Sequence, residues 1–384
     1  MPHQNTVFRQ LTKFLPWGAV DQLIADTRAD KGVRKLDTKS QLLAMIFAQL
    51  SGAKSLRDIE TLLESHAARR YHAGLPHAPH STLGDANAKR PVEVFTGTFA
   101  AMVAALERKD RKKLGESVYL IDSTVIRLND LSEWSRFSAD LAGVKAHIVY
   151  DASAGRPTFF AVTPARVNDI KAAWKMPIDP GATYVFDLGY YHYRYWASLN
   201  EAGCRFVTRL KTNTALHDIK VLDVPEGGNV LSDRIGFLPE RLAGDRRNPM
   251  RDAVREIVVK LETGKEIRVV SNDLDSPANE IADLYKRRWT IELFFRWVKQ
   301  TLKIGHFFGT SENAVRIQIA VALITFLLIK LAHADQTAIG ELTRFARMLS
   351  ANLMHRRPIE RLRPGGADDG PPPKSNRQLA LLWA

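Results

Sequence analysis

The sequence predicts a mixed α/β fold: a helical N-terminal region, then a sheet, then a helical return. Three observations predict it. Leu42, Leu43, Ile46, Phe47 and Leu50 recur with a period near 3.6; from Val118 short β-rich runs alternate with helical stretches; with Ser276 as N-cap and Pro277 at the first helical position, an amphipathic helix then runs through Ile281, Leu284, Ile291, Phe294, Phe295, Val298 and Leu302. At 384 residues the chain is longer than one compact core usually holds, so two or three domains are expected.

The first helix of the N-terminal region breaks at Ser51-Gly52, and Ser55 is placed to cap a second through Leu56, Ile59, Leu62 and Leu63. Two helices around a short Gly-containing turn are either a helix-turn-helix or a plain αα-hairpin, and the sequence leaves both open. The stretch His77 to Arg90 reads as basic and turn-rich, followed by a helix near Phe95 to Leu106 and a charged connector, Glu107 to Lys113.

From Val118 the order reads β, β, β, α, β, α, β. The strands are Val118 to Asp122, Lys145 to Tyr150, Pro157 to Val162, Thr183 to Asp187 and Arg205 to Leu210, with helices near Asp169 to Trp174 and Tyr193 to Ala202. Ala152-Ser153-Ala154-Gly155 is a hairpin signal between the second and third strands. Residues 211–272 carry strand-like Arg255 to Leu261 and Glu266 to Val270 around Thr263-Gly264. The run Ile319 to Leu331, interrupted by Thr325 and Lys330, is shorter than the roughly 20 residues that cross a bilayer and reads as a buried helix on the sheet. Leu342 to Leu349 is a last short helix. Beyond it lie the basic cluster His355, Arg356, Arg357, Arg361, Arg363, which could touch DNA or simply be solvated, and a Pro/Gly stretch, Pro364 to Pro373, that reads as flexible.

Three carboxylates carry the chemistry. Asp122 closes Val118-Tyr119-Leu120-Ile121 and Asp187 closes Tyr184-Val185-Phe186, the strand-end position where open sheets place ligand groups. Glu292 lies in the amphipathic helix with Tyr285, Arg288 and Lys299, and at about 100° per residue these four fall within about 60° of one another. Any one of them would read as part of a solvated basic face; together with the two aspartates they read as a working face. Hard oxygen ligands suit Mg²⁺ or Mn²⁺, and a pair of such ions serves phosphodiester chemistry. From Leu284 to Gly305 six bases, Lys286, Arg287, Arg288, Arg296, Lys299 and Lys303, surround the single acid Glu292. A lone acid there fits a metal ligand beside a phosphate backbone better than a salt-bridge partner.

With its spacing of Tyr285, two residues, Arg288, three residues, Glu292, six residues, Lys299, and with Ile121-Asp122-Ser123-Thr124 and Phe186-Asp187-Leu188-Gly189-Tyr190, the sequence resembles the DDE transposases of bacterial insertion sequences, and within them the insertion sequence 4 family with its Tyr–Arg–Glu–Lys motif. The resemblance spans at least residues 118 to 305. It implies an RNase H-like mixed-sheet catalytic core with a β-rich insertion and an α-helical N-terminal domain. It further implies Asp122, Asp187 and Glu292 as a metal-binding triad, Mg²⁺ or alternatively Mn²⁺ as cofactor, and Tyr285, Arg288 and Lys299 on phosphates near the cut. The partners implied are double-stranded DNA, as the element's terminal inverted repeats and as target, and a second copy of the chain in the DNA complex. Arg296 joins the DNA-binding residues as a base on the same helix. One departure is that residues 211–272 hold Phe237 as their only aromatic, where relatives use an insertion-domain Trp to hold a flipped base; Trp289 offers a stacking face instead.

The division expected is residues 1–90 a helical DNA-binding domain, 91–117 a connector, 118–211 the first part of the core, 212–272 the insertion, 273–350 the second part of the core, and 351–384 the tail. Lys+Arg 55 against Asp+Glu 42, a net +13, favours a polyanionic partner without identifying one. The single Cys204 excludes an internal disulfide framework and a Cys-rich zinc site, and reads as inert core in a reducing cytoplasm, with the chain on the nucleoid when DNA-bound. No secretory signal or membrane role is expected, since Met1 to Thr12 lacks an apolar core. Two rivals share parts of this reading: a nuclease of the same fold that stops after hydrolysis, and a DNA-binding protein without catalysis, which needs no three placed carboxylates.

Overall fold

The computed structural model describes residues 5–110, 117–128, 132–138, 141–224, 228–242, 246–302, 304, 306–334 and 339–362. Lys303, Arg363, Pro364 to Pro373 and the end of the charged connector lie outside them.

Seven helices open the chain: α1 (Val7–Leu11), α2 (Trp17–Thr27), α3 (Thr38–Ser51), α4 (Leu56–Ser65), α5 (Ala67–Ala73), α6 (His80–Lys89) and α7 (Val92–Asp110). Local chemistry sets their ends. The Asp37 carboxylate accepts from the Ser40 N–H at the start of α3; as the sequence implied, Gly52 ends that helix at φ +71° and the Ser55 hydroxyl accepts from the Asp58 N–H at the start of α4. The stretch His77 to Arg90 is a correction: it is mostly α6, because Leu83, Ala86 and Asn87 form a buried face that tertiary packing rewards. The residues expected to begin the charged connector complete α7 instead.

The sheet follows: β1 (Val118–Leu128), β2 (Arg136–Ser138), β3 (Leu141–Asp151), β4 (Arg156–Pro164), α8 (Asp169–Ala173), β5 (Thr183–Phe186), α9 (Tyr193–Glu201) and β6 (Arg205–Arg209). β4, β3 and β1 are antiparallel neighbours, whereas β1, β5 and β6 run parallel. The expected order is present, with β2 added. β1 overturns one expectation: it runs on to Leu128, so Asp122 sits mid-strand opposite Ile148 and not at a strand end. The polar residues after it still alternate in a ladder because β3 supplies partners on one side.

The segment after β6 adds β7 (His217–Val221), β8 (Val230–Phe237), β9 (Arg241–Leu242), β10 (Arg246–Arg247), β11 (Val254–Lys260) and β12 (Glu266–Ser271). β12 pairs with β6, and β11, β8 and β7 follow outward, so one ten-stranded sheet runs through both regions. Buried charge fastens this half: Arg255 holds Asp233 bidentately at 2.8 and 2.7 Å, and Glu256 bridges Arg234 and Arg268.

The chain returns through α10 (Ala278–Arg287), α11 (Trp289–Thr301), α12 (Glu312–Ala334) and α13 (Leu342–Ala351). Ser276 is not the N-cap of α10. Pro277 takes that place, its carbonyl accepting from Glu280 and Ile281, while the Asp273 carboxylate binds the Asp275 and Ser276 N–H groups in the preceding turn. The expected single helix is two: at Arg288 the backbone keeps helical angles, but Arg288 and Ile291 make tighter i to i+3 bonds.

α12 is long and apolar enough to cross a membrane by length and composition, yet 83% of its apolar window is buried by the chain's own helices. It packs chiefly on α7, α3 and α6, and only lightly on β4, so the sheet is not its main partner. One core joins Phe8, Phe47 and Phe95 of the N-terminal helices to α12 and to Leu120, Val185 and Val207 on one sheet face; the other face packs Ile121, Phe186 and Phe206 under α8 and α9. Cys204 is buried there, as expected.

Candidate active site

β1 and β5 run parallel with Ile121 opposite Phe186, so Asp122 and Asp187 leave adjacent strands at one level. The Ser123 N–H donates to the Asp122 carboxylate at 2.7 Å, and the Gly189 N–H donates to the Asp187 carboxylate at 2.8 Å. Leu120, Asp122 and Thr124 alternate toward the face covered by α11, which brings Glu292 over Asp122.

Arg288 joins them. Its guanidinium stands 3.2 Å from the Asp122 carboxylate and 2.8 Å from the Glu292 carboxylate, with only 12% of the side chain exposed. The expectation that Glu292 has no salt-bridge partner is therefore corrected: the helical spacing i, i+4 that aligned it with the bases also lets Arg288 reach it. Burial pushes the Asp122 carboxyl up to about 6, with the nearby Asp187 and Glu292 charges adding to it, against the Ser123 N–H and Arg288. Burial works against the Arg288 charge, but Tyr285, Asp122 and Glu292 around it outweigh that and leave the guanidinium more firmly charged than usual.

The other motif residues divide. Tyr285 is buried and its hydroxyl is pushed above its ordinary value by burial, with the Arg288 and Arg209 charges opposing. Lys299 donates to the Val125 carbonyl on β1 at 3.0 Å, and partial burial lowers its pKa. Trp289 is exposed, with the Arg288 guanidinium 5.4 Å from its ring centre. Arg296 is exposed one turn beyond Glu292. A cavity of about 690 Å³ opens beside this group, lined by Arg209, Lys286, Arg288, Tyr285 and Trp289 and by Leu261 from the β11–β12 turn.

Sequence reasoning missed the groups behind Asp187. A Cβ on Gly189 would lie 2.8 Å from the Asp169 carboxylate and 3.0 Å from that of Asp187, so a larger residue there would displace one of the two carboxylates. Asp169 is paired to Lys145 at 2.9 Å, beside the fully buried His147, whose pKa falls to about 4 through burial. Tyr190 is fully buried with no hydrogen-bond partner for its hydroxyl, which is pushed well above its ordinary value by burial and by Asp169, Asp122 and Asp187. The glycine two residues past the acid was the available signal.

Among the described residues no three His, Cys, Asp or Glu side chains already stand as a cation cage. The donor types could hold a hard divalent ion: Asp122, raised by burial and then by the charges of Asp187 and Glu292, shares the Arg288 guanidinium with Glu292.

The transposase DDE domain family matches residues 113–328, a span that contains all three carboxylates and the Arg288 bridge. The chain belongs to the DDE transposases. Residues 3–76 match a domain of unknown function, DUF4372. The chain is 39% identical over 295 residues to the protein named transposase y4zB of Sinorhizobium fredii, across 76% of this chain and 80% of that one. It is 29% identical to the protein named transposase for insertion sequence element IS5377 of Geobacillus stearothermophilus, across 69% and 70%, and 24% identical to that named for element IS4SA of Synechocystis sp., across 65% and 71%. The solved piggyBac transposase synaptic complex with hairpin DNA aligns over 90% of this chain and 79% of that chain, at 10% identity and TM-score 0.45. This transposase is thus an insertion sequence 4 family enzyme that acts on DNA, its mixed sheet carries the DDE domain, and its family generally uses divalent metal ions.

Proposed function

We propose that this transposase cuts DNA at the ends of its own element and joins the freed 3′ ends to target DNA, with Asp122, Asp187 and Glu292 holding divalent metal. The observation that carries the reading is the Arg288 guanidinium between Asp122 and Glu292: two carboxylates on different elements are held at one cation. Mg²⁺, or Mn²⁺ in its place, would supply activation of the attacking oxygen and charge stabilisation at the leaving one.

The chain's own residues do the rest. Asp122, set by the Ser123 N–H, and Asp187, set by the Gly189 N–H, face the same point from adjacent strands. Glu292 approaches from α11. Arg288 binds the carboxylates while DNA is absent and a phosphate when it is present, since both ligands suit a planar guanidinium. Tyr285 packs beneath it; Lys299 turns from the Val125 carbonyl to the backbone; Trp289 and Arg296 lie exposed along the same path. This assignment is the Tyr–Arg–Glu–Lys subgroup's motif. Residues 1–90 would supply recognition of the terminal repeats, residues 118–211 and 273–350 the chemistry, and 212–272 an insertion beside the cavity. Two copies of the chain would hold the two ends.

The test is a reaction of labelled element ends with a target plasmid and Mg²⁺. Asp122→Asn, Asp187→Asn and Glu292→Gln, each alone, should abolish both cut and joined products while end binding persists, because the cations that supply affinity remain. Cleavage without joining by the unaltered chain would leave a nuclease; full cleavage by any variant would remove that residue from the site.

A further inference from the structure

Beyond Asp187, on the side of the sheet away from Glu292, the chain presents a second charged surface. The Leu188 to Tyr190 turn leads into α9, and α8 begins against that turn, with Asp169 2.8 Å from where a Gly189 Cβ would stand. Residues 170–178, 188–200 and 204–217 meet here, with Asp169, Asp179, Asp187, Glu201 and Asp218 at their margins. Lys171, Trp174, Lys175, His192, Arg194 and Lys211 are all exposed. Trp174 is 47% exposed although two rings brace it edge-on, His192 at 5.7 Å and Tyr195 at 5.6 Å. The Lys211 ammonium lies 4.4 Å from the centre of the Tyr191 ring, at a cavity of about 390 Å³ that His192 also lines, so His192 links the two halves of the surface. The loop carrying Lys211 is fixed: Arg268 donates to the carbonyls of Lys211, Thr212 and Thr214 at 2.7, 3.0 and 2.8 Å.

A braced, exposed indole flanked by Lys171 and Lys175, with Lys211 beyond His192, is the chemistry of a nucleic-acid strand surface, backbone on the cations and a base on the ring. Direction decides which strand. A phosphodiester held at Asp122 and Asp187 continues on both sides. The motif helices α10 and α11 and the 690 Å³ cavity lie on one side, which the proposed function gives to the element end. The surface across Gly189 is left for the other.

We propose that the Lys171, Trp174, Lys175 and Lys211 surface binds the DNA that flanks the element beyond the scissile phosphate. The proposal rests on the reading of this chain as the enzyme that cuts its element's ends. Backbone phosphates lie on Lys171, Lys175 and Lys211, and an unpaired flanking base stacks on Trp174.

The experiment measures binding without cleavage. Full-length chain carrying Asp122→Asn is titrated by fluorescence anisotropy against two duplexes of the element's terminal repeat, one ending at the cut and one extended by a helical turn of flank with a single-stranded overhang. The expected result is about tenfold tighter binding of the flanked duplex. Adding Lys171→Glu and Lys175→Glu should erase that preference and lower the slope of log affinity against log salt by roughly two for the flanked duplex alone. Trp174→Ala should cost about fivefold on the overhang substrate. Lys171→Arg with Lys175→Arg should keep the preference, and melting temperatures check that each variant folds. No preference in the parent, a preference unchanged by charge reversal, or an equal loss on both duplexes would each overturn the assignment. Because the readout is binding, a chain that shows the lysine-dependent preference yet joins no ends overturns the transposition reading alone.

Discussion

Single side chains at this site work against one another until a cation or DNA arrives. Asp122 is held above its ordinary value, so between about pH 4 and 6 the folded chain keeps a proton that the unfolded chain releases. Stability from this group is therefore full below about pH 4 and falls as pH rises through 6; at neutral pH the ionised carboxylate costs on the order of 3 kcal/mol. Asp122→Asn should raise the melting temperature at pH 7 in the presence of chelator and leave it unchanged at pH 4, and a lower melting temperature at pH 7 would contradict the burial argument. Arg288→Ala exposes the other side of the balance. With its guanidinium gone from between Asp122 and Glu292, the DNA-free protein should bind Mn²⁺ about tenfold more tightly by calorimetry, since the ion no longer competes with an internal cation. Cleavage by the same variant should fall by at least about a hundredfold, because the phosphate loses its bidentate partner. Weaker Mn²⁺ binding would place Arg288 in support of the carboxylates.

At the scale of elements, position along a helix or strand decides what each motif residue can reach. Lys299 sits in the last turn of α11 with its ammonium on the Val125 carbonyl of β1, so it fastens helix to strand. If it neutralises one phosphate in the complex, Lys299→Ala lowers the slope of log affinity against log salt by roughly one. An unchanged slope with a lower melting temperature would make it a strut. α12 is the other decisive element. Ile324 is fully buried in it, where the helix passes between the N-terminal helices and the sheet's cover. Ile324→Ala should cost about 2–5 kcal/mol of unfolding free energy by urea titration. A loss below 1 kcal/mol would mean that the surrounding core collapses easily onto the void.

For the whole molecule, the N-terminal helices and the sheet share one core, so they are not separable by truncation; point changes are the right probe. α3 is buried along most of its length, while Lys54, Arg57 and Arg69 are exposed around α4 and α5. Arg57→Glu with Arg69→Glu should reduce the preference for terminal repeats over random duplex about tenfold in competition binding while cleavage of a bound end persists. An unchanged preference would move recognition to the insertion or the C-terminal basic cluster. What the sequence by itself determined was local or periodic. The helix break at Gly52 and the cap at Ser55, the strand order from Val118, and the spacing of Tyr285, Arg288, Glu292 and Lys299 are all set by residues a few positions apart, where propensity and side-chain period act. Only the tertiary structure decided the rest. β1 continues past Asp122 because β3 offers ladder partners; His80 to Lys89 is helical because a core receives Leu83 and Ala86; and Arg288, 166 positions from Asp122 in sequence, lies against it. The Asp169 and Tyr190 groups behind Asp187 left only Gly189 as a local trace, and the surface around Trp174 left none, since contacts between residues far apart in sequence leave no period for a one-dimensional reading to detect.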